Sequence, residues 1–130
     1  VDMLTSKQGQ LYFSKFCELE FSAENPACWL AIHAFQRKTS KAAFDAIFSQ
    51  YLDDNAFSEV NVHGSCSRAV KEFAVRAHEA THEQLQSSLD EVKQELINLM
   101  ENDSMSRFRK SKLFLAFIKG EYALCSCFCY

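Results

Sequence analysis

Apolar residues recur three and four apart along most of this chain, the spacing of one face of an α-helix. In GQLYFSKFCELEF, Leu11, Phe13, Phe16 and Cys17 fall at helical spacing, with a helix end expected near Phe21. SAENPACWLAIHAFQRK follows. Ser22 can cap the helix end, and Pro26 sits at a helix start, where its missing N–H costs nothing. Trp29, Ile32 and Phe35 then form part of a buried face, and Arg37 and Lys38 suit the negative end of the helix dipole. TSKAAFDAIFSQYLDD repeats the logic, with Thr39 or Ser40 as cap and Ala43, Phe44, Ile47, Phe48 and Tyr51 facing inward. NAFSEVNVHGSCS has no period and reads as the longest loop. Residues 68–82 predict a helix of mixed polarity. From Glu83 to Glu101, Leu85, Leu89, Val92, Leu96 and Leu99 alternate four and three apart, a clear amphipathic helix. NDSMSRFRKSKLFLAF restarts a helix after Asp103 or Ser104, with Phe108, Leu113 and Phe117 among its apolar positions.

Composition supports this all-α reading. The chain has 130 residues, one proline, three glycines and twelve phenylalanines. So little turn chemistry argues against an all-β fold, which needs a turn every eight to twelve residues or so. The length suits one compact domain spanning 1–130, without repeats or a low-complexity linker. A net charge of −3 offers no global attraction to nucleic-acid phosphates. No apolar run approaches the roughly 18 residues of a membrane span, and no signal peptide is expected at the start. Cys17, Cys28, Cys66, Cys125, Cys127 and Cys129 form no C-x-x-C pair. A helix-rich chain of this size needs no disulfides for its core, so a reducing, cytosolic protein is expected.

Several stretches carry candidate chemistry. HEATH, His78 to His82, fits the H-E-x-x-H template of zinc peptidases. On one helix the two histidines would share a face, but such an enzyme also needs a third ligand and a cleft. Arg76 before the motif and Glu83 and Gln84 after it favour a polar surface helix, with weak adventitious metal binding as the alternative. Asp53 and Asp54 are better explained by a helix end than by a catalytic carboxylate pair. RFRKSK, Arg107 to Lys112, reads as a solvated helix face rather than a lipid- or nucleic-acid-binding cluster. The terminal C-x-C-x-C is either a palmitoylation site or an apolar end, and CFCY is a poor prenylation box. Neither a nucleophile elbow nor a glycine-rich phosphate loop is present.

Three polar stretches lie between helices: ELEFSAEN, SEVN and ENDSMSRF. Short carboxylates and amides at such junctions usually cap helices. If the three converge at one end of a bundle, they also make an acidic, amidic contact surface.

In order along the chain, these stretches resemble the regulator of G-protein signalling (RGS) domain. FSKFCELEFSAENPACW is similar to the family's paired phenylalanines, Glu-Phe-Ser-x-Glu-Asn and following tryptophan. EVN with the Ser-Cys-rich turn after it resembles the loop of the family's key asparagine, and NLMENDSMSRFRKSKLFL resembles its Leu-Met-x-x-Asp-Ser-x-x-Arg-Phe-x-Lys-Ser block. The resemblance is strongest over 9–61 and 96–117. It implies a two-lobed bundle of about nine helices that binds the GTP-bound Gα subunit of a heterotrimeric G protein and accelerates GTP hydrolysis. No catalytic residue or cofactor of its own is implied, because GTP and Mg²⁺ belong to Gα. A docking module of the same fold without that activity is the alternative.

Residue by residue, the resemblance matches Asn61 to the asparagine placed beside the Gα glutamine. Asp103 matches the aspartate that accepts from switch backbone, and Arg107 the arginine that steadies it. Ser104 and Leu99 match flanking contacts, while Glu20, Ser22, Glu24 and Asn25 match the first junction's surface and Glu59 the loop of Asn61. Pro26, Ala23, Met105 and Arg109 depart from the usual pattern, and the stretch containing HEATH matches poorly. The resemblance further implies a monomer in the cytoplasm, with peripheral contact at the inner face of the plasma membrane left open.

Overall fold

A computed structural model describes residues 2–120, and no strand occurs among them. The α-helices are α1 (Asp2–Thr5), α2 (Lys7–Leu19), α3 (Glu24–Arg37), α4 (Lys41–Ile47), α5 (Gly64–Val75), α6 (His82–Ser87), α7 (Asp90–Asn102), α8 (Ser104–Phe108) and α9 (Lys112–Lys119). A π-helical turn, Phe48–Leu52, extends α4, and a 3₁₀ turn, Ala77–Glu79, follows α5. The fold is all-α, as expected. The expected count of about nine is slightly high, since α1 and α8 are each about a single turn. None of these helices is long and apolar enough to cross a membrane.

Two aromatic centres explain the two lobes. Phe108 is fully buried, with Phe13, Phe16 and Phe114 each 5.4 Å away, ring centre to ring centre. Tyr12 meets Phe117 edge-on at 5.6 Å, so α2, α8 and α9 share one core. In the second lobe Phe44 packs against Phe35, Phe48 and Phe73, drawing α3, α4 and α5 together. Helix α7 lies against α3 and α5, burying Val92, Leu96 and Met100. Edge-to-face rings satisfy the aromatic quadrupole while filling volume, which suits a core this rich in phenylalanine. The chain passes between the lobes twice, between α2 and α3 and between α7 and α8.

Caps fix most helix ends. Ser6, Ser40, Thr81 and Ser111 each accept from the backbone N–H three residues on, and Thr81 with Gln84 completes a capping box. Thr39 donates its hydroxyl to Phe35 O at 2.9 Å, so of the two expected caps Ser40 starts α4 and Thr39 closes α3. Pro26 sits in the first turn of α3, where no partner for an N–H is needed. Gly9 is buried in α2 where a Cβ would lie 2.1 Å from Met3 O, so the close approach of α1 requires glycine there.

Four expectations are corrected. Leu11 is 53% exposed, and Tyr12 takes the inward place beside Phe13. The loop expected through Ser67 ends earlier, because α5 begins at Gly64 with the His63 ring as its cap. The helix expected over 83–101 is two helices, α6 and α7, and Met100 rather than Leu99 continues the buried face. The segment after Asp103 is also broken, at Arg109–Ser111, where Ser111 caps α9.

Candidate functional site

The first inter-lobe passage is a tight helix stop. Phe21 N–H donates to Glu18 O at 3.2 Å and Ser22 N–H to Cys17 O at 2.8 Å, the paired bonds of a Schellman ending. The residue between cap and exit must then be left-handed, and here it is Phe21, with φ 60°. A side chain in that region costs on the order of 1 kcal/mol or more relative to glycine. Phe21 is also 94% exposed, so no burial offsets the strain. Ser22 adds a hydroxyl bond to Cys17 O at 3.4 Å, closing the helix end as expected. Glu24 and Asn25 lie half-buried in the first turn of α3.

The second passage lies at Asp103, the residue before α8. Its side chain caps no N–H of that helix and instead accepts from Arg107 Nη1. Arg107 donates its other edge to Glu20, Nε to Oε2 at 2.9 Å and Nη2 to Oε1 at 2.7 Å. One guanidinium thus joins the two inter-lobe passages by a bidentate carboxylate pair and a second carboxylate. Its hydrogen bond holds the Asp103 carboxyl below the usual aspartate range, and the two carboxylates hold the Arg107 guanidinium more firmly protonated than usual.

The loop between the π-helical turn and α5 forms the third piece. Upstream of Asn61, Ser58 N–H donates to Gln50 O at 2.8 Å and Val60 N–H to Tyr51 O at 3.0 Å. Val60 is buried, and Asn61 beside it is exposed. Downstream, His63 N–H donates to Glu95 Oε2 on α7 at 2.8 Å. Glu95, Asn98, Leu99, Asn102 and Asp103 line a cleft of about 280 Å³ along one face at the end of α7.

The structure therefore joins Glu20, Asp103 and Arg107 directly, sets Leu99 in a cleft with Asp103, and ties the Asn61 loop to the same helix. Glu59 is exposed in that loop. Glu24, Asn25 and Glu59 make no hydrogen bond to this network among the described residues. Ser104 departs from the expected flanking contact. It is 3% exposed, with its side chain against the Cys17 thiol, so it packs the passage from inside. Burial of Cys17 itself pushes its thiol up to about 11, while the hydrogen bonds with Ser22 and Ser104 act the other way. Two residues were not anticipated as site members. Phe21 was signalled by its place at a helix end within the Glu-Phe-Ser motif, and Glu95 only by lying one turn before Leu99.

HEATH does not form the peptidase geometry. His78 lies in the 3₁₀ turn, Thr81 caps α6 and His82 is its first residue, so the histidines share no helix. The helix expected over 68–82 ends at Val75, and the capping box at Thr81 starts a new one. His78 Nε2 instead lies 3.6 Å from Glu79 Oε1. Around RFRKSK the basic groups divide. Arg107 serves the network, Arg109 bonds Glu101 at 3.2 Å, and Lys110 within the helix break and Lys112 at the start of α9 are exposed. Asp54 pairs with Lys71, and Asp53 ends the π-helical turn. Cys17, Cys28 and Cys66 are buried free thiols, while Cys125, Cys127 and Cys129 lie outside the described residues.

An all-α, two-lobed bundle whose exposed polar residues gather at its inter-lobe passages is the architecture of a regulator of G-protein signalling domain. The family model described as "Regulator of G protein signaling domain" matches residues 1–117, and the chain belongs to that family. It is 35% identical over 118 residues to "Regulator of G-protein signaling 10" of Mus musculus, covering 88% of this chain and 61% of that protein. It is 36% identical over 121 residues to "Regulator of G-protein signaling 8" of Homo sapiens, covering 87% and 61%. The chain thus spans about three fifths of the length of these relatives.

Proposed function

We propose that this domain binds the GTP-loaded α subunit of a heterotrimeric G protein and accelerates its GTP hydrolysis, dampening the signal. Family membership supports the class of partner. The observation that carries the reading is the Arg107 bridge, which takes both Glu20 oxygens and one Asp103 oxygen and so fixes Asp103 at an exposed surface with its Oδ2 left to accept from a partner. The domain supplies no reacting group. Gα carries GTP, Mg²⁺, an arginine in cis and a glutamine that orients water. Catalysis then follows from binding the switch segments more tightly in their transition-state arrangement, each tenfold of acceleration corresponding to about 1.4 kcal/mol of preference. Asn61, exposed between the anchored Val60 and His63, is the group that orients partner side chains. Asp103, Glu20, Leu99 and the first turn of α3 clamp neighbouring segments. The domain acts as a cytoplasmic monomer, meeting Gα at the inner face of the plasma membrane.

Single-turnover hydrolysis against a panel of Gα subunits tests the proposal. Binding should be tightest to Gα with GDP, Mg²⁺ and tetrafluoroaluminate, weaker with a non-hydrolysable GTP analogue and weakest with GDP. Equal affinity for the three states, with no acceleration on any subunit, would leave a docking module of the same fold.

A further inference from the structure

Asn61 stands two residues from a contact that nothing in the family resemblance assigns. Its loop is pinned at both ends. Val60 is buried with its N–H on Tyr51 O, and His63 gives its N–H to Glu95 Oε2 at 2.8 Å. Between these anchors only Asn61 and Val62 remain, a span too short to wander while both hold. The upstream anchor belongs to the same local hairpin of chain, separated by nine residues or fewer. The downstream one crosses 32 residues to α7. Glu95 is thus the direct hydrogen bond that relates the Asn61 loop to α7.

The placement of Glu95 makes that bond more than a loop fastening. Glu95, Leu99 and Asp103 follow one another at intervals of four, so they share a face of α7 and the passage after it. Asn98 and Asn102 complete the cleft beside them. Eight residues of helix separate Glu95 from Asp103 by about 12 Å, and a helix is a stiff spacer. At one end of this face Asp103 holds Arg107 and through it Glu20, while at the other Glu95 holds the Asn61 loop. The second junction and the Asn61 loop are therefore set on one rigid helix, to which the first junction is joined through Arg107.

We infer that Glu95 is a positioning residue, whose Oε2 acceptor fixes Asn61 at a set distance from Asp103 and so completes the partner surface. The inference rests on the proposed activity for its functional consequence, but not for the bond itself. The bond is charge-assisted, which makes it one of the stronger classes of hydrogen bond even near solvent. Only an acceptor at this position is required. Glutamine supplies one, whereas alanine does not.

The test uses Glu95→Ala, Glu95→Gln, Asn61→Ala and the Glu95→Ala/Asn61→Ala pair in the whole chain. Hydrogen exchange at the His63 amide is read first and needs no partner. It should be faster in Glu95→Ala and near wild type in Glu95→Gln, and an unchanged rate in Glu95→Ala overturns the inference. Acceleration of hydrolysis is then measured on a Gα that responds to wild type. Glu95→Ala should lose roughly tenfold, equivalent to about 1.4 kcal/mol, and Glu95→Gln should recover most of it. The double variant should be no worse than Asn61→Ala alone, because the brace acts through that residue. Full activity in Glu95→Ala, additive losses, or failure of glutamine to rescue would each overturn the positioning role. Absence of acceleration by wild type on every subunit would instead defeat the functional reading, leaving the exchange rates to decide the brace.

Discussion

Arg107 reaches back 87 residues to grip Glu20 with two parallel N–H···O bonds, at 2.9 and 2.7 Å. The contact joins the end of α2 to α8, the two places where the chain passes between lobes. Ion pairs this exposed contribute little to stability, because solvent screens them and long side chains lose freedom in making them. Its value lies in geometry, since the same guanidinium also orients Asp103. Arg107 is therefore expected to matter more for partner binding than for folding.

Arg107→Ala should leave the denaturation midpoint almost unchanged and weaken binding to the tetrafluoroaluminate form of Gα at least tenfold, a difference of about 1.4 kcal/mol. The Asp103 carboxyl, held low by Arg107, should return toward its ordinary value when followed by NMR titration of the variant. A carboxyl lowered in the folded state gives stability that is present above its unfolded value and lost as pH falls through its folded one. In wild type this loss should therefore begin below about pH 4, and the variant should not show it. An Asp103 titration identical in both proteins would count against the bridge.

Phe21→Gly should separate stability from function. Removing the side chain from a left-handed backbone position should stabilise the domain by about 1 kcal/mol, read from chemical denaturation. The same change deletes an exposed aromatic at the candidate surface, so Gα affinity should fall. A destabilised variant would show that the ring makes contacts that its exposure conceals.

Asn61→Ala should behave in the opposite sense to a core change. Asn61 is exposed between anchored neighbours, so stability should stay within about 1 kcal/mol. Acceleration of GTP hydrolysis should nonetheless mostly disappear, as measured in single turnover. A folded variant with full activity would remove Asn61 from the mechanism.

Trp29 is buried, and its Nε1–H has no hydrogen-bond partner among the described residues. Its ring stacks on His33 at 5.1 Å, with Lys93 Nζ 4.8 Å from its centre. Trp29→Ala should cost about 3–5 kcal/mol. Trp29→Phe should cost distinctly less, because it keeps a ring while removing a polar group that burial leaves unsatisfied. Equal denaturation midpoints for the two variants would refute this account.

His33 should make stability depend on pH. Partial burial, then Lys93 and Arg37, push its imidazole below the ordinary histidine range, and Nδ1 lies 3.1 Å from Lys93 Nζ. A base lowered in the folded state favours the neutral form there. Its contribution is full above the unfolded value, about 6.5, and is lost as pH falls through that value toward the folded one. Melting temperature should fall from pH 7 to pH 5, and His33→Gln should flatten that slope. An unchanged slope in the variant would assign the effect elsewhere.

By itself the sequence determined the helical class, since three- and four-residue apolar spacing lets only a helix bury one side continuously. Phe35, Phe44, Leu89, Val92, Leu96 and Phe108 were legible as core on that ground, and all are buried. Ser40 was legible as a cap because its hydroxyl can satisfy a backbone N–H wherever the helix packs. The candidate surface was legible as three motifs in order, but not as an arrangement. Leu99 fell off the buried face because a strict alternation of four and three drifts against 3.6 residues per turn, and Met100 took its place. The helix start at Ser111 was written in local capping chemistry, yet apolar periodicity ran across it, as it ran across the break between α6 and α7. Tertiary structure alone decided that Ser104 packs inside, that Glu95 meets the Asn61 loop and that Arg107 meets Glu20. Side-chain contacts between distant segments depend on how lobes pack, and periodicity along the chain carries no term for that.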